Sequence, residues 1–235
     1  MISFARGMAL ALVGLQVAVL SACQASPMPS AVATRGAQPF QARSAEADLY
    51  PTAPGSRWEY TLHQRQNDGP VKLRPMTIAI TSARALADGG IEAVLERSYE
   101  TMSPPKSRVL RYGDRVTLSR LSDPIDGPSI TILRLPLAPG AEWPGRPFGG
   151  GHKETIRYIG EEDVTVPAGT FRTQRVDHVI DYAQGGSDTL NYWYAPGVGV
   201  VKMTERTTIW QGATAIHLES TGNLEHYTIG QANQP

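Results

Sequence analysis

Tyr192-Trp193-Tyr194-Ala195-Pro196-Gly197-Val198-Gly199-Val200-Val201-Lys202 is the stretch that decides the fold. Aromatic residues stand on one side of a proline-glycine turn and β-branched residues on the other, a composition that suits two strands and no helix. Pro196 fixes φ, while Gly197 and Gly199 can adopt the positive φ that a reversal between Trp193 and Val200 requires. The chain is expected to double back here as an antiparallel hairpin, with the glycines serving topology.

Outward from this hairpin the apolar residues keep recurring at period two. Trp58, Tyr60 and Leu62 alternate with polar residues, as do Met76, Ile78 and Ile80, then Ile130, Ile132 and, through a bulge, Leu135. Alternation of this kind marks half-buried strands. Turn chemistry falls between them, at Asn67-Asp68-Gly69-Pro70, Asp88-Gly89-Gly90, Tyr112-Gly113-Asp114, Asp126-Gly127-Pro128, Gln184-Gly185-Gly186 and Gln211-Gly212. Strands are expected over 56–66, 74–84, 91–101, 107–112, 115–121, 129–135, 154–166, 171–183, 188–194, 199–210 and 213–227. The fold class is therefore all-β, a curved antiparallel sheet or half-open β-barrel built as a meander, because a flat sheet of this width would leave long unpaired edges. Trp58 and Trp193 are expected to be buried in strands of one sheet system.

One element repeats. Residues 51–58 and 136–143 both read P-x-A-P-G-x-x-W. A proline-glycine turn that delivers a tryptophan onto the next strand can plug the end of a core. The other reading is a pair of aromatic platforms for a ligand.

Val164-Thr165-Val166-Pro167-Ala168-Gly169-Thr170-Phe171 forms a further turn, with Pro167 and Gly169 reversing the chain. Together with Pro54 to Trp58 and Tyr192 to Lys202, it resembles a widespread group of bacterial lipoproteins and exported proteins in which a VPAGTF turn precedes a WYAPGVGxVK hairpin. The resemblance spans most of residues 50 to 205. It implies a curved antiparallel sheet, loosely like the open β-barrels of periplasmic lipoprotein carriers. It implies no reaction and supplies no catalytic residues.

The amino-terminal end has a different character. Arg6 precedes the thirteen-residue apolar run from Met8 to Leu20, and Ser21 and Ala22 follow. This is the order of a secretory signal peptide, and the run falls short of the roughly 20 residues that span a bilayer. Leu20-Ser21-Ala22-Cys23 resembles the bacterial lipobox, which implies cleavage after Ala22 and diacylglycerol, with palmitate-type chains, on Cys23. Cys23 is the only cysteine among the 235 residues, so no intramolecular disulfide can form. Gln24 stands where an aspartate would resemble an inner-membrane retention signal. Its identity favours an outer membrane in a host that has one.

Four segments follow: a signal peptide over 1–22, a lipidated cysteine and flexible tether over 23–48, one β domain over 49–228, and a disordered tail over 229–235. The tether is rich in Ala, Ser, Pro and Gln and cannot bury enough surface to offset its ordering entropy. The whole chain balances 22 Lys and Arg against 22 Asp and Glu, and loss of Arg6 with the signal leaves 21 against 22. Nucleic-acid binding, which needs a clustered basic excess, is not expected.

Catalytic constellations fail on spacing. The chain contains no G-x-S-x-G, H-E-x-x-H or C-x-x-C, and Gly149-Gly150-Gly151-His152-Lys153 lacks the ending of a phosphate loop. His63, His152, His178, His217 and His226 show no zinc-ligand spacing, and Glu161-Glu162-Asp163 reads as a solvated run. No metal, cofactor or catalytic residue is expected. The leading reading is a non-enzymatic envelope lipoprotein, held to membrane lipid through Cys23, whose curved sheet binds an apolar or amphiphilic ligand or an envelope protein. Trp143, Tyr192 and Tyr194 are the candidate ligand-contact aromatics. The alternative is a hydrolase of envelope polymers using Asp177 and Asp181, which share one strand face while His178 points to the other. That chemistry needs two carboxyls about 5 to 10 Å apart across a cleft.

Overall fold

A computed structural model describes residues 48–99, 106–146 and 151–231, all within the compact unit Ala42–Pro235. The signal peptide, Cys23 and nearly all of the expected tether lie outside the described residues.

The described residues form twelve strands and no α-helix. They are β1 (Arg57–Gln66), β2 (Lys72–Ala85), β3 (Ile91–Tyr99), β4 (Lys106–Arg111), β5 (Arg115–Arg120), β6 (Ile130–Arg134), β7 (Glu142–Pro144), β8 (Lys153–Val166), β9 (Gly169–Asp181), β10 (Ser187–Ala195), β11 (Gly199–Gln211) and β12 (Thr214–Thr228). Eleven match the alternating stretches of the sequence. The short β7, around Trp143, is the strand onto which the second proline-glycine turn delivers its tryptophan.

All twelve strands belong to one antiparallel sheet in the order β6-β5-β4-β3-β2-β1-β12-β11-β10-β9-β8-β7. The first and last strands pair with each other in the middle of the sheet, from Arg57 opposite Thr228 to Gln66 opposite Leu218. Its free edges, β6 and β7, are therefore consecutive in sequence. Right-handed twist curls a sheet this wide, and it nearly closes into a barrel. Trp143 spans the remaining seam, its indole N–H donating to the Thr131 carbonyl of β6 at 2.7 Å.

The two copies of P-x-A-P-G-x-x-W lead into β1 and β7, the first strands of two six-strand halves. Both turns have the same build. Ser56 N–H donates to Ala53 O and Ala141 N–H to Ala138 O, with Gly55 and Gly140 at φ of 84° and 77°.

The inner face carries the core, which includes Tyr60, Leu62, Met76, Ile80, Leu95, Val109, Ile156, Val176 and Leu224. Trp58 and Trp193 are 5% and 7% exposed and lie in the same sheet, as their alternating contexts predict. They are buried differently. Trp58 faces the interior, whereas Trp193 lies on the outer face beneath Arg175 and Lys202, whose charged groups sit 5.2 and 5.0 Å from its ring centroid.

One end of the barrel is sealed. Leu49 is buried there, Gly197 N–H donates to Asp48 O, and Gly199 lies against Pro51 and Trp58. The sequence places a tail after Thr228, yet Ile229 packs on the core and Gly230 N–H donates to Ser56 Oγ at 3.0 Å. Those two residues belong to the domain, because apolar burial and a satisfied amide hold them.

Candidate functional site

Strand register sets the inner face row by row. Antiparallel partners share a face, so Glu205 of β11, Ser220 of β12, Gln64 of β1 and Lys72 of β2 form one continuous row. This row runs near the turns that join β1 to β2 and β11 to β12, at the end opposite the sealed one. An open cavity of about 490 Å³ lies there, and Gln64, Lys72, Arg74, Glu205, Leu218 and Ser220 are among its lining residues. Ligand pockets in proteins commonly measure about 300 to 1,000 Å³.

The sealed half of the interior is different. Between Tyr50, Trp58, Tyr60, Ile78 and Leu95 only about 30 Å³ is left, roughly the share of one water molecule. Large side chains fill the space between these residues, and a second opening, of about 240 Å³, lies at the same end beside Leu49, Tyr50, Val116 and Leu133.

Beside the mouth sit buried polar groups. Asp188 of β10 accepts a hydrogen bond from the Thr207 hydroxyl at 2.9 Å. Burial raises its carboxyl above the ordinary range, the bonds from Thr207 and the Thr189 amide pull the other way, and Glu154 adds repulsion. Glu205 is raised as well, by burial first and by the neighbouring Asp188. In the same two rows, further around the sheet, Glu154 and His178 form a pair with Oε1 and Nδ1 3.2 Å apart, and both side chains are almost wholly buried. The other oxygen of Glu154 accepts the Arg146 amide at 2.7 Å. The Glu154 carboxyl thus takes a contact at each oxygen, while His178 Nε2 is buried and has no hydrogen-bond partner among the described residues. The ring stands edge-on to Tyr192, with centroids 5.2 Å apart.

Arg97 of β3 occupies the interior next to Tyr50, Tyr99 and Tyr192 and shares a hydrogen bond with Tyr99. Burial pushes the Tyr50 and Tyr192 phenols up to about 12, with Arg97 opposing that shift. They are neutral hydroxyls at physiological pH, not phenolate nucleophiles.

The aromatics singled out in the sequence occupy varied positions. Trp143 and Tyr194 are 3% and 2% exposed, and neither lines the mouth. Trp143 closes the seam, and Tyr194 packs between Tyr50 and Tyr192. Tyr192 flanks His178 and Arg97 beneath the mouth. Cys23 lies outside the described residues.

Asp177 and Asp181 do share a face, but it is the outer, convex one. Asp177 is engaged by the Arg175 guanidinium through both oxygens, at 2.9 and 3.0 Å, and Asp181 is exposed at the end of β9. No cleft joins them, so the hydrolase reading loses its residues. The run Glu161-Glu162-Asp163 is surface, held by Arg172 and by the Trp193 indole N–H on Glu162 at 2.6 Å. Among the described residues no group of His, Cys, Asp and Glu could hold a metal ion.

The inner carboxylates and cations were missed in the sequence. Their signal was parity: Asp188 lies two and four residues before Leu190 and Tyr192, and Glu205 lies two after Met203, so each shares a face with core residues.

No family model matches this chain, and no curated protein matches it. Similar solved structures include an exported protein with a YmcC-like fold from Bacteroides fragilis, 15% identical, covering 76% of this chain and 98% of that one at a TM-score of 0.48. A lipoprotein from Parabacteroides distasonis is 16% identical, with 77% and 98% covered and a TM-score of 0.47. A LolA superfamily protein from Nitrosomonas europaea is 10% identical, with 81% and 92% covered and a TM-score of 0.32. Likeness at this level carries no functional weight.

Proposed function

We propose that this chain is an envelope lipoprotein, anchored through acylated Cys23, that binds a small amphiphile at the mouth of its barrel and catalyses no reaction. The observation that carries this reading is the open cavity of about 490 Å³, lined by Lys72, Arg74, Glu205, Gln64 and Ser220 together with the 38%-exposed Leu218. Charged and amide groups give the site polar contacts, and Leu218 gives it an apolar wall. The Glu154–His178 pair has the arrangement of an oriented base, yet no hydroxyl or thiol is bonded to Nε2.

Titration calorimetry of the Cys23→Ser chain against single-chain amphiphiles, below their micelle concentrations, tests the reading. Saturable binding that Leu218→Glu weakens at least tenfold and Asp177→Asn leaves unchanged is expected. Absence of binding to anionic, cationic and zwitterionic amphiphiles alike would sink it.

A further inference from the structure

We infer that the mouth recognises the head group of a zwitterionic amphiphile, one carrying both an ammonium and a phosphate, a step that rests on the ligand-binding reading above. Three charged groups outside any described ion pair, two cationic and one anionic, face the same cavity. Lys72 and Arg74 stand on the β2 wall, and among the described residues neither forms an ion pair. Glu205 stands on the β11 wall, also outside any described ion pair, with Asp188 across the Thr207 hydroxyl and the Arg97 guanidinium acting on it from the interior. The other lining charges are already matched, since Arg65 bonds Glu219 at 2.5 Å.

Spacing favours a bridging ligand. Glu205 and Lys72 are ends of the row Glu205–Ser220–Gln64–Lys72, three strand spacings or about 14 Å along the sheet. Curvature and the inward reach of the two side chains narrow that gap but leave them unpaired. Ser220, with its short side chain, forms the floor between them. An ammonium at Glu205 and a phosphate at Lys72 and Arg74 would satisfy both walls at once.

The same arrangement discriminates by repulsion. A head bearing phosphate alone brings a second anion towards Glu205 and Asp188, and a head bearing an amine alone faces Lys72 and Arg74. Leu218, on the same cavity, offers the first apolar contact to the tail.

The test compares lysophosphatidylethanolamine, lysophosphatidic acid and an alkylamine of matched chain length, each below its micelle concentration, by calorimetry on the Cys23→Ser chain. The zwitterion is expected to bind at least tenfold more tightly than either single-charge probe. Glu205→Gln should bring its affinity down to that of lysophosphatidic acid, and the double change Lys72→Ala, Arg74→Ala should bring it down to that of the alkylamine. Equal binding of all three probes to the unsubstituted mouth overturns this inference while leaving amphiphile binding standing, and that comparison needs no variant to fold. Failure of all three to bind removes both.

Discussion

Trp58 and Trp143 occupy equivalent places in the two six-strand halves, and each donates its indole hydrogen to a backbone carbonyl of the other half. Trp58 reaches Val198 at 2.6 Å and Trp143 reaches Thr131 at 2.7 Å. The repeated turn therefore builds a reciprocal clasp: one tryptophan ties β1 to the β10–β11 turn, and the other bridges the two free edges.

Replacing either tryptophan by Phe keeps a ring and removes the donor, leaving a carbonyl that is buried at Val198 and part-buried at Thr131 without its partner, at a cost of about 1 to 3 kcal/mol. Each variant is expected to melt several degrees below the parent, given about 2 to 4 °C per kcal/mol in a domain of this size. Thr131 lies on an edge strand with no other backbone neighbour on that side, so Trp143→Phe should also speed amide exchange in β6. Unchanged exchange there would rule out the clasp.

Gly197 and Gly199 both sit at positive φ, 73° and 94°, which supports the topological reading of their hairpin. Alanine at either costs about 1 kcal/mol or more in backbone strain. A methyl at 197 meets open space, whereas one at 199 would lie 3.3 Å from Pro51 and near the Trp58 ring. Gly199→Ala should therefore lower the melting temperature more than Gly197→Ala. The reverse order, measured by calorimetric scanning, would contradict the packing at the sealed end.

Asp188 and Glu205 carry native carboxyl pKa values above their ordinary 3.8 and 4.5, because burial disfavours their charge. A raised native pKa means that the folded chain holds the proton more tightly than the unfolded one. Their contribution to stability is present below the ordinary values and is lost as pH rises through the native ones. Glu161 and Glu219 are shifted the other way by their hydrogen-bond and arginine partners, so the whole-chain profile is mixed. The difference between Asp188→Asn and the parent isolates the effect. Denaturant titrations from pH 3.5 to 7.5 should show the variant gaining on the parent as pH rises, and a flat difference would refute the assignment.

Cys23→Ser should move the protein out of the membrane fraction or leave its signal uncleaved, with the melting temperature of the β domain unchanged. The first described residue, Asp48, lies 25 positions further along the chain. Fractionation that still finds the variant in membranes would remove the acylation reading.

Period-two alternation and proline-glycine turns specified the strands and their hairpins, because a half-buried strand must place apolar side chains on every second residue. That local rule made Trp58, Tyr192 and Gly199 legible without coordinates. It also fixed the parity of Asp177 against His178. Three things it could not supply. Pairing of β1 with β12 is a contact between residues more than 160 positions apart, at Arg57 and Thr228, and no local pattern encodes it. Once that pair forms, the free edges fall in mid-chain and the seam lands on Trp143. Finally, whether a face is filled or open depends on which rows meet across the curved sheet. The same inward parity that packs Leu62 and Met76 into the core places Gln64, Lys72 and Arg74 around a cavity two to four residues nearer the turn.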